Sequence, residues 1–213
     1  MYASPSMDAA QKQHLIELHR DSLALYGSTT DALHWSSRGQ QKVRFRVLAG
    51  IGIALGDSVL DVGCGFADLR DWLRSHRLDV AYTGIDLSAE ILAIAAQRHP
   101  DVSLMCGELF DFDFKPRSFD WVVLSGTLNW QLHDDGAYAR RVIARMFELC
   151  RFGVAFNMLD ARNREMQHLQ DLQDLVAFDP DAMLDYCATI TPDCSYLGDY
   201  LTNDFSIYMR RIA

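Results

Sequence analysis

The run Leu60-Asp61-Val62-Gly63-Cys64-Gly65-Phe66-Ala67-Asp68-Leu69 carries the most specific chemistry in this chain. It joins the end of an apolar run to the start of a helical one. Gly63 and Gly65 permit a tight turn and let a ligand lie against the backbone. A GxG alone is weak evidence, because glycine turns after strands are common. Asp86, 25 residues after Asp61 (86 − 61), ends the next apolar run. A carboxylate there can accept both hydroxyls of a ribose. Asp68 stands where a dinucleotide fingerprint wants Gly or Ala beside a pyrophosphate. The loop therefore suits a nucleoside that carries no pyrophosphate. No GxxxxGK segment occurs, which excludes a P-loop.

These residues need strands and helices to position them. Residues 8–25 and 39–51 read as helices with one buried stripe, the first through Leu15, Leu18, Ser22 and Tyr26. Short apolar runs at 58–62, 82–86, 102–106, 119–126 and 152–159 read as buried strands. Helical segments lie between them. Ser88 is placed to cap one, and Tyr138, Val142, Met146 and Cys150 repeat at helical spacing in another. Such alternation predicts an α/β doubly wound parallel sheet. After a helix at 180–189, the runs CSYLGDY and DFSIYMRRI are separated by residues 201–203 and predict a hairpin, hence an antiparallel pair closing the sheet. We expect one domain over 1–213: an N-terminal helical cap at 1–52, a core at 53–213, and a lid-like insertion at 160–179. That insertion would sit at the carboxyl edge of the sheet, where ligands bind; a plain surface helix is the other reading.

Composition narrows the class. The 213 residues are 49% hydrophobic and 23% charged, which is globular and argues against wholesale disorder. A net charge of -9 disfavours nucleic acid and anionic membranes as partners. The five cysteines are odd in number and lack a CxxC, and no signal peptide or membrane-spanning run is present. We therefore expect a cytoplasmic protein. Nothing in the sequence sets the oligomeric state.

The motifs LDVGCGFADL, GIDLSAEIL, MCGELFDF and FDWVVLSGTLNW, in this order, resemble those of class I S-adenosylmethionine-dependent methyltransferases, and DYLTNDFSIYMRR is similar to that fold's last hairpin. The resemblance covers roughly residues 30–213. It implies a Rossmann-like, seven-stranded, mostly parallel sheet, with S-adenosyl-L-methionine as cofactor and S-adenosyl-L-homocysteine as product. It implies that Gly63 and Gly65 line the methionine part and that Asp61 holds the loop. Asp86 would take the ribose hydroxyls, with Leu87 against the adenine. Glu108 would accept from the adenine amino group and the Leu109 N–H would reach the ring. Ser125 and Gly126 would lie beneath the sulfonium. HWSSRGQQKVRF resembles a helix that covers the cofactor in some bacterial members, where Arg44 could pair with the methionine carboxylate or lie on a solvated face. Asp61 could merely cap its loop, Glu108 could be a solvated acid, and Cys64 reads as a small spacer.

The donor is an activated sulfonium, so the protein must chiefly align and desolvate the partners. A hydroxyl or ammonium acceptor also needs a general base. His133 is the best titratable candidate, because its ordinary pKa lies near neutrality, and Asn129 lies beside it. His133-Asp134-Asp135 reads equally as a solvated helix start. Trp130 and, on the lid, His168 are substrate-contact candidates. The place after strand four reads Ser-Gly-Thr-Leu, without the Asn/Asp-Pro-Pro loop of amino-methylating DNA enzymes; no Pro-Cys dipeptide exists, and strand four ends without acids, so no metal is expected. The leading expectation is methylation of a small-molecule substrate. The alternatives are a methyltransferase acting on protein or RNA, and a non-catalytic cofactor-binding regulatory protein.

Overall fold

The computed structural model describes residues 6–34, 37–163 and 174–212. Its sheet comprises β1 (Ser58–Val62), β2 (Ala81–Asp86), β3 (Ser103–Cys106), β4 (Phe119–Ser125), β5 (Cys150–Leu159), β6 (Cys194–Leu197) and β7 (Asp204–Arg210). The spatial order is β3-β2-β1-β4-β5-β7-β6. β1 to β5 pair in parallel, while β7 runs antiparallel to both β5 and β6. The expected doubly wound sheet with a reversed hairpin is what forms. The order reverses between β1 and β4, so the glycine loop after β1 opens at the switch point, where ligands bind in such sheets.

The helices are α1 (Ala9–Tyr26), α2 (Arg38–Ala49), α3 (Asp68–Ser75), α4 (Ala89–Arg98), α5 (Ala137–Leu149) and α6 (Pro180–Ala188). Their starts follow local chemistry. Asp8 and Gln11 form a capping box on α1, Ser88 accepts from the Ile91 N–H at 3.2 Å, and Asp179 caps α6 ahead of Pro180. α5 ends at Leu149, one residue earlier than its repeat suggests. Cys150 instead opens β5, paired with Phe119, because its backbone joins the sheet.

Alternate strand residues feed two cores. Leu60, Val122, Val154, Phe156 and Ile207 pack with α5 residues Val142, Ile143 and Met146 on one face. Met7 and Leu15 from the N-terminal segment join this core. Val59, Val123 and Ala155 pack with Phe45, Leu48, Leu69 and Leu73 of α2 and α3 on the other. So α2 is built into the sheet's own packing, whereas α1 reaches across the carboxyl edge. Of the lid-like insertion, only its ends lie among the described residues. The return end is tied down by a bridge between Trp130 and Leu175 and another between Asp160 and Phe178.

Candidate cofactor and acceptor site

The glycine loop is closed by its own backbone. The N–H groups of Gly63 and Cys64 donate to the Ile85 carbonyl at 2.8 and 2.9 Å. Gly63 sits at φ +73°, and a Cβ there would run into the Thr127 side chain. A Cβ at Gly65, φ +55°, would lie 2.8 Å from Leu33. Both glycines are thus required by conformation and by space. Asp86 braces the loop. Its Oδ2 accepts from Gly65 N–H at 2.9 Å and its Oδ1 from Ser88 N–H at 3.0 Å. Each oxygen keeps a lone pair, which fits a carboxylate that also receives ribose hydroxyls.

Asp61 lies behind the loop and accepts from Tyr82 Oη at 2.6 Å. Burial, aided by the Asp86 and Asp68 charges, pushes its pKa up to about 7 against the pull of the Tyr82 hydrogen bond. Burial also pushes the Cys64 thiol pKa up, as suits a spacer and not a thiolate.

Glu108 departs from its solvated reading, for it is buried. Its Oε2 accepts from Tyr138 Oη at 2.7 Å and from Met7 N–H at 3.3 Å, and Lys12 Nζ stands 2.6 Å from Oε1. The carboxylate expected to read the adenine amino group therefore also anchors α1. Leu87 and Leu109 line the same end of the cavity, half-buried and buried.

At the end of β4, Ser125 accepts from Asn157 Nδ2 at 3.1 Å, and Thr127 Oγ1 donates to the Val62 carbonyl at 3.2 Å. Asn129 is buried; its Oδ1 accepts from Leu159 N–H at 3.1 Å and its carbonyl from Val176 N–H at 2.7 Å. Its amide oxygen thus pins β5 and its main-chain carbonyl pins the returning chain, a structural task the sequence did not show. His133 is exposed at the cavity rim, with φ +54°. Arg44 is not on a solvated face. It forms a two-pronged ion pair with Asp204 at the start of β7, with Nη2 2.6 Å from Oδ1. Asp160 holds Arg162. His168 lies outside the described residues.

Two functional candidates went unnoticed in the sequence. His19 of α1 and His34, just after the short 3-10 turn Thr30–Leu33, gather on Trp130. Ring centroids lie 5.6 Å apart for His19–Trp130, 5.0 Å for His34–Trp130 and 5.9 Å for the two histidines. Burial lowers the pKa of both imidazoles; the Asp86 charge opposes this for His19, and His19 lowers His34 further. His19 follows Leu15 by four residues, so the helical stripe could have flagged it.

The glycine loop, Asp86, Glu108, Arg44 and the His19–His34–Trp130 group line one cavity of about 1200 Å³. A glycine loop at the switch point, with an acid ending the neighbouring strand, defines a nucleoside-cofactor enzyme of the doubly wound class. Comparison with known proteins makes this specific. The methyltransferase-domain family matches residues 59–153. Rv1506c of Mycobacterium tuberculosis, which carries the name methyltransferase, is 30% identical over 164 residues, covering 73% of this chain and 94% of that protein. The fold matches magnesium protoporphyrin IX methyltransferase of Synechocystis PCC 6803 with bound S-adenosylmethionine, with TM-score 0.61 and 16% identity over 82% of this chain and 80% of that one. It also matches phosphoethanolamine N-methyltransferase 2 of Haemonchus contortus in complex with S-adenosyl-L-methionine, with TM-score 0.66 and 17% identity over 85% and 46%. The chain belongs to the methyltransferase family, and is a class I S-adenosylmethionine-dependent enzyme. The cradle that a Cβ at Gly63 or Gly65 would fill, and the spare lone pairs of Asp86, fit that cofactor.

Proposed function

We propose that the enzyme methylates a small-molecule acceptor bound in the same cavity as the cofactor. The carrying observation is the cavity itself. Its volume of about 1200 Å³ exceeds the roughly 300–1000 Å³ of an ordinary single-ligand site. One end is framed by the glycine loop, Asp86, Leu87, Glu108 and Leu109; the other is framed by residues 130–136 and 174–179. S-adenosylmethionine supplies a methyl group already activated on a sulfonium.

The chain's own residues then have distinct tasks. Gly63 and Gly65 give the cofactor's methionine part close backbone approach, and Asp86 receives the ribose hydroxyls. Glu108 and Leu109 serve the adenine, and Ser125 floors the reacting centre. Arg44, held by Asp204, lines the same cavity and is the guanidinium we assign to the methionine carboxylate. The acidic balance of the chain supports a partner other than RNA. Five free cysteines support a reducing, cytoplasmic setting; among the described residues no helix is long and apolar enough to cross a membrane.

The test is transfer of radiolabelled methyl from S-adenosylmethionine into a metabolite extract, with separate RNA and protein fractions. Label in small molecules is expected. Label confined to RNA or protein would replace this reading with a macromolecular substrate.

A further inference from the structure

We propose that the acceptor is an amine that enters as an ammonium ion, is held at a carboxylate-lined mouth against Trp130, and gives its proton to the His19–His34 pair. This rests on the small-molecule reading and narrows its acceptor.

The mouth lies where residues 130–136 meet residues 174–179. Trp130 bridges to Leu175, and Phe178 stands against Gly136. Asp134, Asp135 and Asp179 line the opening. Asp134 is fixed by the Tyr138 N–H at 2.6 Å and Asp179 by the Asp181 N–H at 2.9 Å, while Asp135 is exposed. Arg140 reaches the same turn and donates to the Asp135 carbonyl oxygen at 2.6 Å. Its single charge leaves the rim net negative. Deeper in, by contrast, Asp204 is matched by Arg44 and Glu108 by Lys12. Asp86 is held there by the Gly65 and Ser88 N–H groups. The mouth adds an acidic excess of its own, which attracts a cation and repels an anion. The face of Trp130 adds a cation–π contact for an ammonium.

An ammonium has no lone pair with which to attack. His19 answers that need. Its Nδ1 is buried in the cavity wall and has no hydrogen-bond partner among the described residues. Partial burial lowers the His19 imidazole pKa, so this ring meets the ammonium with a lone pair on Nδ1. The carboxylate acting on His19 is Asp86 at the end of β2, and His34 feels His19; the α1 cations Lys12 and Arg20 are paired with Glu108 and Glu90. Once Nδ1 of His19 takes the proton, the nitrogen lone pair forms the new N–CH3 bond. The S–CH3 bond breaks with its electron pair going to sulfur, and the exposed His34 gives the proton a way to water.

The experiment titrates the protein loaded with S-adenosylhomocysteine with benzylamine, benzyl alcohol and benzoate by calorimetry. Benzylamine alone is expected to bind, about 5-fold more weakly at 300 than at 50 mM salt. Asp135→Lys should weaken it roughly 10-fold further, with S-adenosylhomocysteine affinity as the folding control. Equal binding of the alcohol or benzoate, or no binding of benzylamine to the loaded protein, overturns the amine proposal. Label reaching only RNA or protein in the transfer assay overturns the small-molecule reading instead. His19→Gln, with His34→Gln as the exposed second variant, should slow benzylamine methylation by about 10²-fold at pH 7 for His19. That loss should shrink as rising pH delivers the free amine. A loss independent of pH assigns His19 to packing and overturns the proton transfer.

Discussion

Asp86 spends one lone pair of each carboxylate oxygen on backbone N–H groups and keeps the others for a ligand. Replacing it loosens the glycine loop and removes the ribose acceptors together. Asp86→Ala is expected to weaken S-adenosylhomocysteine binding by about 1.5–3 kcal/mol, as for lost charge-assisted hydrogen bonds; calorimetry checks this, and unchanged affinity would refute the assignment. Asp61 presents the opposite case of a carboxyl disfavoured as an anion. Its folded pKa of about 7 lies above the ordinary 3.8, so the folded chain binds more protons than the unfolded one between these values. Its contribution to stability is greatest below pH 4 and is lost as pH rises toward 7. Asp61→Asn keeps an acceptor for Tyr82 and removes that loss. Urea unfolding should show the variant more stable than wild type by on the order of 2 kcal/mol at pH 8, with the gap closing at pH 4.5.

At the scale of elements, the contact between α1 and the loop after β3 is an ion pair with one partner fully enclosed. The Glu108 side chain is 2% exposed and that of Lys12 25%. Removing Lys12 alone leaves a buried anion held by neutral donors, among them Tyr138 and the Met7 N–H. Lys12→Met is expected to cost about 3 kcal/mol of folding stability. Adding Glu108→Gln should recover more than half of it, since the amide oxygen still accepts from Tyr138. A double-mutant cycle in urea measures the coupling; additive losses would show that the pair is not what holds α1.

Across the whole molecule, the N-terminal region divides into two tasks. α2 sits in the core beneath β4 and β5 with Phe45 and Leu48, whereas α1 and the turn after it bring His19 and His34 over the cavity. Deleting residues 1–37 removes Met7 and Leu15 from the main core, at roughly 2 kcal/mol each, but leaves α2 and the seven strands. The truncated protein should still melt cooperatively, while its affinity for S-adenosylhomocysteine falls at least 10-fold. Wild-type affinity in calorimetry would remove the covering role of α1.

The parts of this protein legible in its sequence are those governed by near neighbours. The alternation of apolar runs, the Ser88 cap, the two-glycine turn and the acid ending β2 all follow from periodicities and backbone preferences within a few residues. They carried the sheet and the nucleoside loop at its switch point, while the identity of the cofactor came from the resemblance of the motifs to a known family. Arg44 was legible as a candidate, but its partner Asp204 lies 160 residues away. Glu108 read as an adenine acceptor, while its grip on Lys12 and Met7 depends on how α1 lies across the sheet edge. Asn129 read as catalytic, yet its oxygen is committed to the Leu159 N–H. The gathering of His19 and His34 on Trp130, and the partial burial that lowers the His19 pKa, came only with the tertiary structure. Burial and the distance between remote side chains are set by the packing of whole elements, and no local pattern in the chain encodes them.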